Sequence, residues 1–239
     1  MIQPVDVLSI AAHPDDVELT TAGTLIRMID TGYSAGILDL TAGEMGTRGT
    51  PELRAAEAEA ARSTIGATFR ANLNLGDSRL TGSIENRMAV AQAIRLARPR
   101  TVILPYWEGR HPDHTTAAAL GYEACFAAGL KKAVLEGEPW RPHKILYATL
   151  YWDTPPSFAV DVSPFWERKL EAIHCFQSQF NGDMSEVVKV YPAWARLVDR
   201  IETQCRFYGH QIGVEYAEPF VTKEVMSVDD VVSLPVPSI

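Results

Sequence analysis

The chain has 239 residues, 46% of them hydrophobic and 22% charged, which fits a single α/β domain and excludes disordered, fibrous and low-complexity classes. Its 30 acidic residues against 22 basic ones give a formal net charge of −8, which argues against phosphate-backbone binding as the main activity. No window approaches the ~18 apolar residues of a membrane span, and MIQPVDVLSIAA has no cationic lead-in, so a cytoplasmic protein with no nucleic-acid or membrane partner is expected.

Residues 5–12 (VDVLSIAA) read as a buried strand that ends in His13-Pro14-Asp15-Asp16, and a helical pattern covers 21–32. A strand at 35–41 (AGILDLT) leads into TAGEMGTRGTPELR, 41–54, whose three glycines and one proline mark a long loop over the sheet's carboxyl edge. A helix at 52–66, a strand at 70–75, a helix at 85–98, a strand at 101–105 (TVILP) and a helix at 112–129 follow. Gly32, Gly66 and Pro99 stand where helices should stop. After a strand at 144–151 the rhythm changes, with a strand at 158–162, helices at 164–178 and 190–208, and a Val- and Pro-rich tail. Alternating strands and helices imply βαβ units, hence a Rossmann-like three-layer sandwich with a mainly parallel sheet. The C-terminal part is expected to cap that same domain, so residues 1–239 form one unit. Cys125, Cys175 and Cys205 are odd in number and widely spaced, which predicts reduced, buried thiols and no disulfide framework.

In open α/β sheets ligands gather outside the carboxyl ends of the strands. His13 to Asp16 lie there, where a nucleotide-binding fold would place glycines for a phosphate; His and Asp point to a cation instead. The strand TVILP leads to Arg110-His111-Pro112-Asp113-His114 at the same edge, so two distant clusters converge. A hydrolytic zinc site wants three N/O ligands and one open position, which His13, Asp16 and His114 would supply. Asp15 is then placed as general base, His111 as hydrogen-bond donor to an oxyanion, and Asp113 as the group that holds the imidazolium of His111. Taken singly, His-Pro-Asp reads equally as an Asx turn and His-Pro-Asp-His as a helix start. His143, His174 and His210 are isolated and read as surface or core residues.

AAHPDD and HPDH together resemble the PIG-L/LmbE superfamily of zinc-dependent N-acetylglucosamine deacetylases. The resemblance extends to LDLTAGEMGTRGTPELRAAEA, NLNLGDSRL, FQSQF and GVEYAEPF, a combination most similar to the bacillithiol-pathway N-acetyl-α-D-glucosaminyl L-malate deacetylases. It implies the same assignments: one zinc ion on His13, Asp16 and His114, Asp15 as base and later acid, and His111 as oxyanion partner. It also implies substrate contacts from Arg54 and Asp77, an amino-sugar substrate, and a homo-oligomer, trimer or hexamer. Some relatives use a tyrosine close before the second motif; Gly109 and Arg110 stand there in this chain.

Arg110 is expected to take a malate carboxylate bidentately, its bland alternative being a surface pair with Glu108. Glu44 and Arg48 are weaker candidates for closing over substrate, and Gln179 and Tyr191 weaker still. The leading expectation is release of acetate from GlcNAc-malate. Its rivals are a thiol-conjugate amidase, a chito-oligosaccharide or antibiotic-precursor deacetylase, and a non-catalytic sugar- or nucleotide-binding module without stoichiometric metal. His and Asp ligands also accept iron, cobalt or manganese.

Overall fold

Val7–Ala11 and Ala35–Asp39 are buried at every position, the signature of parallel strands covered by helices on both faces. The computed structural model describes residues 1–150, 152–181, 185, 189 and 196–236. Its strands are β1 Val7–Ala11, β2 Ala35–Asp39, β3 Phe69–Asn72, β4 Thr101–Pro105, β5 Lys144–Ala148, β6 Phe158–Asp161 and β7 Ala217–Val221. Its helices are α1 Asp16–Thr20, α2 Ala22–Asp30, α3 Pro51–Ile65, α4 Ile84–Ala97, α5 Pro112–Ala128, α6 Trp166–His174, α7 Gln177–Phe180 and α8 Leu197–Gln211.

These strands form one seven-stranded sheet in the order β3-β2-β1-β4-β5-β7-β6. It is parallel from β3 through β5, while β7 pairs antiparallel with both β5 and β6. Leu8, Ile10, Leu38 and Leu104 pack under Val90 and Ile94 of α4 and Leu120 of α5. On the other face Val7, Ile37 and Ile103 meet Leu25 and Ile26 of α2 and Ala172 of α6. The result is the expected three-layer α/β sandwich. Strand order reverses between β1 and β4, so their carboxyl ends open a crevice at a topological switch point.

Local sequence explains most boundaries. Thr50 caps α3 by accepting from the Leu53 N–H at 3.2 Å, with Pro51 opening the helix, and Gly66 ends it at φ 81°. Three features depart from expectation. A separate α1 precedes α2, the two being broken at Thr21, whose φ of −135° is not helical. The helix expected over 164–178 is a 3₁₀ turn, Ser163–Phe165, followed by α6 and α7, broken at Phe176 with ψ 63°. The C-terminal part is more than a cap: β6 and β7 extend the sheet, and no strand is expected from the sequence where β7 lies. Residues 190–195 of the expected last helix lie outside the described residues, and α8 runs on to Gln211.

A buried ion pair ties this late strand to the first helices. Lys169 Nζ lies 2.6 Å from Glu218 Oε1, both side chains being wholly inaccessible. Glu218 accepts from the Gly23 and Thr24 N–H groups at the start of α2, while Lys169 donates to the Glu18 and Leu19 carbonyls of α1. Among the described residues no helix is long and apolar enough to cross a membrane.

Candidate functional site

The carboxyl end of β1 delivers the first motif. Asp15 caps α1 at φ 108°, a left-handed conformation that costs a non-glycine residue free energy and recurs at functional sites. Asp16 opens the helix, and its Oδ2 accepts from the His13 backbone N–H at 2.9 Å. The loop after β4 delivers the second motif, with His111 as the cap of α5, Pro112 at its first position, and Asp113 and His114 in its first turn. The motifs meet: His114 Nε2 lies 3.0 Å from Asp16 Oδ1, and His13 Nδ1 lies 3.4 Å from Asp16 Oδ2. The His13 ring is 4.7 Å from that of His111 and 5.4 Å from that of His114.

A third segment joins them. Asp77 Oδ1 and Asp113 Oδ2 each lie 3.3 Å from His13 Nε2, and Asp113 also accepts from the Ser78 N–H at 2.8 Å. Among the described residues two sets of potential ligand atoms lie within 4.8 Å of one another: His13 with His111 and His114, and His13 with Asp77 and Asp113. Both include His13. Asp16 touches His13 and His114 directly.

Several of the expected residues lie in the site with partners that the sequence did not indicate. The Asp113 carboxylate, expected to hold His111, meets His13 instead; what reaches His111 is the Asp113 backbone N–H, which donates to Nδ1 at 3.2 Å. Arg54, expected at the substrate, is buried and donates to Asp15 Oδ2 at 2.9 Å, to the Gly43 carbonyl at 3.2 Å and to the Pro14 carbonyl. A Cβ on Gly43 would sit 2.0 Å from the Arg54 guanidinium, so this approach requires glycine. Asp77, expected to grip sugar hydroxyls, already binds His13 and accepts from the Met45 N–H at 2.9 Å. Glu44 accepts from the Asp77 N–H at 2.8 Å, fastening the glycine-rich loop to the site. Gln179 donates to the Arg48 carbonyl at 2.9 Å, and Tyr191 lies outside the described residues.

The charges here are unbalanced. Asp15, Asp16, Asp77 and Asp113 are all buried around His13, with Arg54 the cation that neutralises Asp15. Burial disfavours charge on His13, but Asp16 and Asp77 outweigh it and hold the imidazole pKa up at about 11. Burial would raise Asp77 as well, yet His13 and the Met45 N–H hold it down at about 2. Against its own burial, Asp16 is kept well below the usual carboxylate range by His114 and His13. Asp15 differs: burial pushes it up, and the Arg54 charge opposes the rise. A pocket whose imidazole must hold a proton to offset surplus carboxylates has the donor chemistry for a divalent cation, which displaces that proton on binding.

His111 behaves in the opposite way. Burial, then repulsion from His13 and His114, pushes its pKa down, so the ring is neutral. Because Nδ1 accepts the Asp113 N–H, the ring proton sits on Nε2. That tautomer makes His111 a donor, whereas ligation through Nε2 would need the proton moved.

His13, Asp15, Asp16, Arg54, Asp77, His111 and His114 line a cavity of about 730 Å³ between the carboxyl ends of β1 and β4. Its walls add Tyr106 and Arg110 from the loop after β4, Trp152 and Asp153 after β5, Arg48, and Arg200 of α8. Trp152, Asp153 and Arg200 escaped the sequence reading. The first two follow a core strand and obey the rule that found the histidines; Arg200 on a distant helix carried no signal.

The family described as PIG-L, GlcNAc-PI de-N-acetylase, matches residues 8–125, which carry both histidine motifs. The diacetylchitobiose deacetylase of Thermococcus kodakarensis is 33% identical over 227 residues, 89% of this chain and 80% of its own length. The chain belongs to the PIG-L family. A second PIG-L relative, the 1D-myo-inositol 2-acetamido-2-deoxy-alpha-D-glucopyranoside deacetylase 2 of Catenulispora acidiphila, is 28% identical over 67% of this chain and 64% of its own length. The crystal structure of a conserved protein from Thermus thermophilus superposes with a TM-score of 0.82 at 42% identity, covering 94% of this chain and 98% of that one. The mostly parallel seven-stranded sheet flanked by helices is thus the PIG-L fold, with the His/Asp cluster at its carboxyl edge as a possible metal site.

Proposed function

We propose that the chain is a metal-dependent amide hydrolase that removes the acetyl group from an N-acetylglucosamine conjugate, the whole chain acting as one domain. The observation that carries this reading is the meeting of His13, Asp16 and His114 beside a carboxylate, Asp15, whose partner is Arg54. His13, Asp16 and His114 would hold the ion, zinc by the N/O character of the set, and leave room for substrate. When bound, such an ion lowers the pKa of water and polarises an amide carbonyl.

The remaining chemistry falls to the chain's own groups. Asp15 accepts the proton of the attacking water and returns it to the leaving amine. Arg54 fixes the carboxylate in place and opposes the rise that burial imposes on its pKa, which stands at about 7. His111 donates through Nε2 to the oxyanion that develops on the acetyl carbonyl. Asp77 and Asp113 face His13 on its other side and orient the ring.

The two curated relatives are named for acetylated glucosamine compounds that share the sugar and differ in what is attached to it. For this chain we infer GlcNAc-malate, the substrate of the bacillithiol-pathway enzymes. Arg54 does not support that choice, since it serves Asp15; the support is Arg110 on the pocket wall, with Arg48 and Arg200 lining the same cavity. A second reading, a chito-oligosaccharide, is favoured by Tyr106 and Trp152 on those walls, whose rings suit a sugar face. Acetate release from GlcNAc-malate, N-acetylglucosamine and diacetylchitobiose, on protein of known metal content, separates them. No release from any of the three by metal-loaded protein would overturn the deacetylase reading.

A further inference from the structure

The cavity has two ends of unlike character. Glu108, Arg110, Asp153 and Arg200 are exposed and form its mouth, where charge suits hydroxyls and a carboxylate. Behind the His/Asp cluster it runs on under α1 into a recess walled by Ser9, Ala11, Val17, Ile103, Ala148 and Leu197, all buried. Position in the chain explains this order. Ala11 precedes His13 by two residues along β1, and Val17 directly follows Asp16 on α1, so the recess begins where the first motif ends. Buried parallel strands usually carry large branched side chains, and protein interiors close-pack. Here Ser9, in register with Ile103, and Ala148, in register with Pro105, are small, and together with Ala11 they leave the layer between the sheet and α1 short of side-chain volume.

The recess behaves as apolar although hydroxyls stand on its wall. Ser9 Oγ and Thr21 Oγ1 lie 3.2 Å apart, Thr21 Oγ1 donates to the Val17 carbonyl at 3.4 Å, and Thr20 Oγ1 donates to the Asp16 carbonyl at 2.6 Å. Ser9 is then the donor to Thr21, so each of these hydroxyl protons is used within the wall and none is left to order a polar ligand. An amide carbonyl carbon carries two substituents. With that carbon at the His/Asp cluster and the sugar nitrogen toward the polar mouth, the remaining bond points into the recess. We propose that the recess receives the acyl chain of the substrate, and that this protein hydrolyses glucosamine amides of acids longer than acetic, propionyl and butyryl ahead of acetyl. This acyl preference rests on the amide-hydrolase reading above and deepens it. The bonds are those of that reaction: the water oxygen joins the acyl carbon, the carbon–nitrogen bond breaks, the water proton passes by way of Asp15 to the amine, and the acyl chain leaves as a carboxylic acid that ionises. Each methylene moved from water into an apolar recess improves kcat/KM about fourfold.

The test is a chain-length series on metal-loaded protein: N-acetyl-, N-propionyl- and N-butyrylglucosamine, each also as its malate conjugate. kcat/KM rises along the series, with butyryl on the order of tenfold above acetyl. Calorimetry on Asp15→Ala protein gives the same order in Kd with turnover removed. Ala148→Leu fills the recess and lowers the butyryl-to-acetyl ratio of kcat/KM about tenfold, while Ile103→Val, a milder change, raises it. Circular dichroism on each variant separates a filled recess from a damaged fold, and the wild-type series stands without them. Acetate release with propionyl and butyryl at or below acetyl overturns the acyl preference and leaves the deacetylase reading intact. A folded Ala148→Leu protein that keeps the wild-type ratio overturns the assignment of the recess. No release from any member of the series overturns both readings.

Discussion

Arg54 and Asp15, 39 positions apart, form a buried ion pair at 2.9 Å, and the same guanidinium binds the Pro14 and Gly43 carbonyls. One planar group therefore fastens the strained turn of the first motif to the glycine-rich loop. Replacing it by Met removes both the aim and the counter-charge of the proposed base. Because Arg54 opposes the upward shift of Asp15, its loss raises the carboxyl pKa further. A base works only when deprotonated, so the acid limb of the kcat/KM profile moves to higher pH. The plateau falls on the order of 10²-fold through misplacement. Arg54→Lys recovers the pH position better than the rate. A profile unmoved by Arg54→Met would separate Arg54 from the base.

Asp15→Ala loses about 10²- to 10⁴-fold in kcat while the purified protein keeps its metal. Elemental analysis beside the rate measurement checks both halves. Loss of metal together with activity would make Asp15 a ligand, contrary to its proposed role.

His111 and His114 are predicted to fail differently. His111→Ala reduces kcat about 10²- to 10³-fold with metal content intact, since the Nδ1 contact to the Asp113 N–H fixes it as a neutral donor. His114→Ala loses the metal. Equal metal loss in both variants would favour the set of His13, His111 and His114 as ligands.

Prolonged chelation abolishes turnover, and adding back a divalent ion restores it. Because His13 sheds its proton when the ion binds, reloading releases acid into a weakly buffered solution. Calorimetry in buffers of different ionisation enthalpy reads that release.

Lys169→Met destabilises the fold by about 3–5 kcal/mol, since it strands the Glu218 carboxylate in a dry interior. The urea midpoint shows the loss. Replacing Glu218 by Gln in the same chain recovers part of it, because the buried charge is gone.

Much of the site was legible because its motifs follow core strands, and the carboxyl-edge rule depends only on strand order. His13, Asp16 and His114 could therefore be brought together across the chain without coordinates. What stayed hidden were partnerships between segments that no spacing links. Arg54 has the chemistry of a substrate clamp, and only the fold shows its two terminal nitrogens engaged by Asp15 and two carbonyls. Asp113 was assigned to the nearest histidine in sequence, while the turn of α5 aims its carboxylate at His13. Strand β7 escaped because Ala-Glu-Pro-Phe-Val contradicts strand composition twice, with a proline and a charge. Pro219 lacks a donor and sits in an interior strand; Glu218 is tolerated there because Lys169 and the start of α2 satisfy it. Helix α1 escaped because its cap adopts a torsion no pattern announces.

The bond from Glu218 to Gly23 spans 195 positions. On a translating ribosome both histidine motifs emerge long before the residue that steadies the helices behind them exists. A nascent chain therefore carries every proposed metal ligand while the scaffold under the first of them is still unfinished, and its maturation waits until residue 218 has been synthesised. Truncation short of residue 218 would thus injure the start of α2, nearly two hundred positions away.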